Sequence, residues 1–71
     1  MENLVKLVVN GDEINHQSSA PSVFTLIDSL GFSEKKIIVE LNKEVVPRAE
    51  FSKTSLKNGD SIEIVQFIGG G

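Results

Sequence analysis

Apolar and polar positions alternate with a period of two near the start and the end of this chain, and with a helical period between them. In Leu4-Val5-Lys6-Leu7-Val8-Val9 the alternation puts Val5, Leu7 and Val9 on one face and Leu4, Lys6 and Val8 on the other. The first set is the better core face, and its β-branched content suits a strand. Asn10-Gly11 tolerates positive φ at both positions, so the chain turns there and Asp12-Glu13-Ile14 begins a return strand. His16 to Pro21 is polar and is expected to be a connecting loop, with Pro21 biasing Ala20 toward an extended backbone.

The period then changes. Ser22 suits a helix N-cap, because its hydroxyl can accept from an otherwise unpaired backbone N–H. Val23, Leu26, Ile27 and Leu30 follow at i, i+3, i+4 and i+7, and Gly31 supplies the left-handed stop. A helix of about eight residues is unstable alone in water, so it must lay this stripe on a sheet. Phe24 lies off the stripe and is expected to complete the core edge, while Asp28 faces water.

Ser33-Glu34-Lys35-Lys36 turns the chain into Ile37-Ile38-Val39-Glu40-Leu41, a central strand with Ile37, Val39 and Leu41 inward and Ile38 outward. After Asn42-Lys43 comes a short strand, Glu44-Val45-Val46, ended by Pro47, which has no N–H for a ladder. Glu50 to Leu56 is a wrapped loop with one helical turn, anchored by Phe51 and Leu56. Lys57-Asn58-Gly59-Asp60 is a turn. In Ser61-Ile62-Glu63-Ile64-Val65-Gln66 the inward residues are Ile62 and Ile64, leaving Glu63, Val65 and Phe67 outward.

Hairpin, helix, strand, short strand, loop and strand make an α+β chain: a mixed sheet of four to five strands covered on one face by one helix. If the first and last strands bury their inward faces under the same helix they must be neighbours, which is the β-grasp arrangement of ubiquitin-like proteins. The other sheet face is left uncovered. Ile38, Val65 and Phe67, continued by Ile68, then form a candidate docking surface.

Composition narrows what such a body can do. At 71 residues the chain is one domain, divided here into a body, 1–66, and a glycine tail, 67–71. A net charge of −3 would repel nucleic acid and favours a basic partner surface. No apolar run is long enough to span a bilayer and no signal peptide opens the chain, so no membrane partner and a cytoplasmic location are expected. The absence of cysteine removes thiolate nucleophiles and thiolate metal ligands. With no metal cluster, acid–base pair or phosphate-binding glycine loop in view, the chain is not expected to be an enzyme or to bind a cofactor itself. His16, the single histidine, has no clustered ligands and is expected to be a surface loop residue without a role. Arg48 either positions a partner carboxylate or bonds loop carbonyls.

Gly69-Gly70-Gly71 has no Cβ to obstruct a narrow slot. From Phe67 onward, five residues can reach roughly 17 Å, far enough to place the Gly71 carboxylate in another protein's active site while the body stays outside. A glycine run at a terminus is otherwise simply disorder, and the body ahead of it favours the functional alternative.

Leu41-Asn42-Lys43-Glu44-Val45-Val46-Pro47-Arg48, then Leu56-Lys57-Asn58-Gly59-Asp60-Ser61-Ile62-Glu63-Ile64-Val65, and the ending Phe67-Ile68-Gly69-Gly70-Gly71 resemble the ThiS family of sulfur carriers in thiamine biosynthesis. The resemblance is at motif level over the C-terminal half and in element order over the whole length. The third terminal glycine departs from members that end in two. What the resemblance implies is a carrier worked on by others. A ThiF-like adenylyltransferase, using ATP and magnesium, activates the Gly71 carboxylate as an acyl-adenylate. A cysteine desulfurase or other sulfur donor converts it to a thiocarboxylate, and thiazole synthase takes the sulfur. Gly69 and Gly70 would enter the partner sites. The alternatives are a carrier like the small subunit of molybdopterin synthase and a β-grasp interaction domain with an inert tail. Free, the protein is expected to be a monomer, although a homodimer could also cover the open face.

Overall fold

Asn10 and Gly11 adopt φ of 50° and 87°, the double left-handed geometry that a two-residue turn needs to match the twist of its strands. That turn joins β1 (Asn3–Val9) to β2 (Asp12–Ser18) in the computed structural model, which describes residues 2–67. The helix α1 (Val23–Ser29) follows, then a 3-10 turn at Glu34–Lys36, β3 (Ile37–Leu41), β4 (Glu44–Val46), a longer 3-10 segment at Arg48–Lys53 and β5 (Ser61–Gln66). The sheet order is β2-β1-β5-β3-β4, with β1 and β5 parallel and the other pairs antiparallel. This is the mixed five-stranded β-grasp sheet, with its last strand at the centre.

The core lies between the sheet and α1. Val5, Leu7 and Val9 from β1, Ile37 and Val39 from β3, and Ile62 and Ile64 from β5 are buried in one cluster with Val23, Leu26 and Ile27 of the helix. Phe51 and Leu56 close that cluster from the long connection before β5, where they were expected as anchors. The opposite sheet face carries no helix among the described residues.

Strand β2 runs further than its composition suggests. His16, Gln17 and Ser18 are strand, paired with Val5, Leu4 and Asn3, so the expected loop begins only at Ser19. The backbone ladder needs no apolar side chain, and β1 still offers partners at those positions. His16 is accordingly not a surface loop residue. It is 5% exposed and points under the sheet, where its Nε2 lies 2.9 Å from the hydroxyl of Thr25. That hydroxyl bonds the Ser22 carbonyl at 3.0 Å and accepts from the Ser22 N–H, while the Thr25 N–H donates to the Ser22 hydroxyl. With the single hydroxyl proton on the Ser22 carbonyl, His16 is the donor to Thr25. The reciprocal Ser22–Thr25 cap is therefore tied to the sheet through the histidine.

Burial pushes the His16 imidazole below its ordinary value of 6.5, opposed by the smaller effect of the Glu2 charge. A folded-state value below the unfolded one means that the unfolded chain binds the proton first, so stability is fully present above about 6.5 and is lost as the pH falls through the window beneath it. The melting temperature should drop between pH 7.5 and 5.5, and His16→Gln should flatten that part of the slope. An identical slope in the variant would show that His16 takes up its proton over the same pH range folded and unfolded.

The helix also ends differently. Leu30 is the C-cap and is exposed, and Phe32 packs against the core in its place. The Phe32 N–H bonds the Ile27 carbonyl and the Gly31 N–H bonds the Asp28 carbonyl, with Gly31 at φ 82°. This is the paired closure of a Schellman motif, whose hydrophobic residue sits just beyond the glycine. Phe24 faces solvent rather than the core edge, because the buried side of α1 is already filled by Val23, Leu26 and Ile27.

Candidate functional site

Strand β5 carries the described chain to Phe67 with β3 on one side throughout. Ile38 and Val65 are directly opposite one another in that pair, and Ile37 is opposite Gln66. Alternation sends Ile37 and Ile64 into the core and leaves Ile38 and Val65 on the open face. Ile38 is 48% exposed, Val65 58% and Phe67 45%, so these three members of the expected docking surface lie together next to the start of the glycine tail. Ile68, Gly69, Gly70 and Gly71 lie outside the described residues. The same parity exposes Val45, opposite Glu40 on the next strand, while Val46 is buried. Leu4 is exposed too, but on β1 it lies beyond the start of β5 in register and away from Phe67.

Charge completes the surface. Glu40 and Glu63 face one another across β3 and β5, one step from Ile38 and Val65. Like charges directly opposite cost a sheet a little stability. The open face thus offers an apolar strip beside an acidic one, suited to a partner with basic and apolar groups.

The signature residues of the second half prove to be architecture that holds β5. Asn42, at the β3–β4 turn, donates to Asp60 at 3.1 Å and accepts from the Ser61 N–H at 2.9 Å. Asp60, buried, also accepts from the Lys57 N–H at 2.9 Å and so closes its own turn, in which Gly59 has φ 90°. Arg48 donates from Nε to the Glu34 carbonyl at 3.1 Å and from its terminal nitrogen to Lys35 at 3.4 Å. Of the two roles open to it, the bond to loop carbonyls is the one present. The next carbonyl along, that of Lys36, accepts from the Phe67 N–H at 3.0 Å. The start of β5 is fixed by Asn42 and Asp60, and its end leaves against a turn fixed by Arg48.

Among the described residues no three His, Cys, Asp or Glu side chains lie together as metal ligands. No helix among them is long and apolar enough to cross a membrane. The remaining feature is a body with an uncovered face from which the chain continues.

Residues 3–71 match the model of the ThiS family. The chain belongs to the ThiS family. It is 34% identical over 65 residues to the sulfur carrier protein ThiS of Bacillus subtilis, an alignment covering 92% of this chain and 98% of that protein. The ThiS crystal structure from Geobacter metallireducens superposes with a TM-score of 0.78 at 35% identity, covering 94% of this chain and all of that one. A thiazole synthase of Paramagnetospirillum magneticum is 43% identical over 67 residues, or 94% of this chain. This ThiS-family chain spans only 20% of that protein's length, and 20% of a second thiazole synthase, from Magnetococcus marinus.

Proposed function

We propose that this ThiS-family chain is a sulfur carrier for thiamine biosynthesis, presented to its partners by the open face and modified at the carboxylate of Gly71. The observation that carries this proposal is the family match, which runs through the glycine end and includes a near full-length likeness to the Bacillus carrier. In the first step the Gly71 carboxylate attacks the α-phosphate of ATP on a ThiF-like adenylyltransferase, releasing pyrophosphate and leaving an acyl-adenylate. Magnesium and the nucleotide belong to that enzyme. Sulfide, or a persulfide from a cysteine desulfurase followed by reductive cleavage of its S–S bond by a thiol, then displaces AMP and leaves a thiocarboxylate. Activation is necessary because an ionised carboxylate has no leaving group, whereas AMP leaves readily.

Thiazole synthase is the proposed acceptor. The two thiazole synthases that contain a stretch like this one support that pairing, since fusion keeps carrier and consumer together. Ile38, Val65, Phe67 and Ile68 would dock the body, and Gly69 and Gly70 would thread the partner slot. The tail, 67–71, acts as a unit distinct from the 1–66 body. The location consistent with these partners is the cytoplasm.

ATP-dependent pyrophosphate release by a ThiF-like enzyme tests the proposal. The wild-type chain should support it. Val65→Asp puts a charge into the exposed apolar strip and should raise the carrier's KM by about tenfold or more, the effect of losing one apolar anchor, at nearly unchanged thermal stability. Absence of release with the wild-type chain would end the carrier assignment, and an unchanged KM in the variant would remove the open face from it.

A further inference from the structure

Strand β5 outruns its neighbour. Parallel pairing of β1 with β5 covers Val8 with Ser61 and Val9 with Ile62, after which β1 turns away at Asn10-Gly11. The backbone ladder continues for one more bond, from the Asn10 N–H to the Ile62 carbonyl at 2.9 Å. The next groups on that edge of β5 are the N–H and C=O of Ile64, and no backbone of β1 remains to meet them.

The side chain of Asn10 meets them. Its Oδ1 accepts from the Ile64 N–H at 2.7 Å and its Nδ2 donates to the Ile64 carbonyl at 3.2 Å. A primary amide offers the same donor and acceptor as a peptide unit, so this contact extends the sheet by one rung without a strand. It grips β5 just before Val65 and Phe67. On the other edge the Phe67 N–H bonds Lys36. Asn10 and Lys36 therefore hold the last turn-free stretch of the described chain from its two sides.

We infer that Asn10 is a positioning residue for the carrier reaction: its side-chain amide sets the direction in which β5 hands the chain on to the glycine tail. This rests on the carrier function proposed above. Docking through Ile38 and Val65 fixes where the body sits on a partner, and the direction of β5 decides where the residues after Phe67 begin. A misdirected tail reaches the slot less often in a reactive pose, which lowers turnover more than association.

The variants are Asn10→Gly and Asn10→Asp. Glycine accepts the φ of 50° and keeps the turn while removing both bonds to Ile64. Aspartate keeps the acceptor for the Ile64 N–H but sets a carboxylate oxygen against the Ile64 carbonyl. With a ThiF-like adenylyltransferase and ATP, assayed well below either variant's melting temperature, kcat should fall about tenfold for both while the carrier's KM stays within about twofold. In the free protein the Phe67 amide should exchange with solvent about tenfold faster in Asn10→Gly, and that of Val39 at the wild-type rate. Wild-type kcat in either variant, or a change confined to KM, overturns the inference. So does unchanged exchange at Phe67, a readout that needs no partner. Inertness of the wild-type chain toward the enzyme would instead overturn the carrier proposal.

Discussion

Removing Gly70 and Gly71 should abolish activation and sulfur loading and should leave the body as stable as before. Two reasons make this the largest functional effect expected. The reactive carboxylate is moved back by two residues, roughly 7 Å of extended chain, which no near-attack geometry tolerates. The residue left at the end is Gly69, so the new terminus is still a glycine carboxylate, and the loss reports on reach rather than on chemistry. Stability should be untouched, because among the described residues the buried cluster runs from Val5 to Ile64. The truncated chain should still bind its partner through Ile38 and Val65, and should inhibit the full-length carrier competitively. Full adenylation of the truncated chain would contradict a role for the tail's length. A large drop in melting temperature would show that the glycines are part of the fold.

The largest effect on stability is expected from Ile62→Ala. Ile62 is wholly buried at the centre of the sheet, opposite Val9 on one side and Leu41 on the other. An isoleucine cut to alanine in such a place loses about 2–5 kcal/mol, combining lost transfer energy with the cavity left behind. A domain of this size holds roughly 4–10 kcal/mol in total, so the variant approaches the edge of folding. Its melting temperature should fall by roughly 10–30 °C, because one kcal/mol is worth several degrees in a small domain. Val65→Ala, three positions on but on the open face, should change stability by less than about 0.5 kcal/mol. Urea unfolding of the two variants checks both values, and equal losses would mean that Val65 is as much core as Ile62.

Local signals in the chain carry the parts of this fold that were legible beforehand. Asn10-Gly11 announced its hairpin, Ser22 and Gly31 bounded the helix, and the alternation of β3 and β5 separated Ile37, Val39, Ile62 and Ile64 from Ile38 and Val65. Neighbouring residues decide such features. The second half of β2 was not legible because His16, Gln17 and Ser18 are strand only through their partners on β1, and polar side chains leave no periodic trace of that. Leu30 fits the helical stripe, yet it is Phe32 that reaches the core, since the Schellman closure redirects the chain after Ser29.

The candidate site divides in the same way. The exposure of its described apolar members, Ile38, Val65 and Phe67, follows from parity alone, and Val45 could have been added on the same ground. What parity does not reveal is why the signature residues are there. Asn42 and Asp60 touch across 18 positions of sequence, and Asn10 reaches Ile64 across 54. Long-range side-chain bonds of this kind appear only once the sheet order is known. They explain the Asn and Gly-Asp signatures as fittings for β5 rather than as reactive groups.

The most direct measurement is the intact mass of the full-length chain after incubation with ATP, magnesium, a ThiF-like adenylyltransferase and sulfide. The carrier account predicts a gain equal to replacement of one oxygen by sulfur, confined by fragmentation to Gly71 and dependent on ATP. An unchanged mass under conditions in which the same enzyme loads its own carrier, or sulfur found at any other residue, would contradict it.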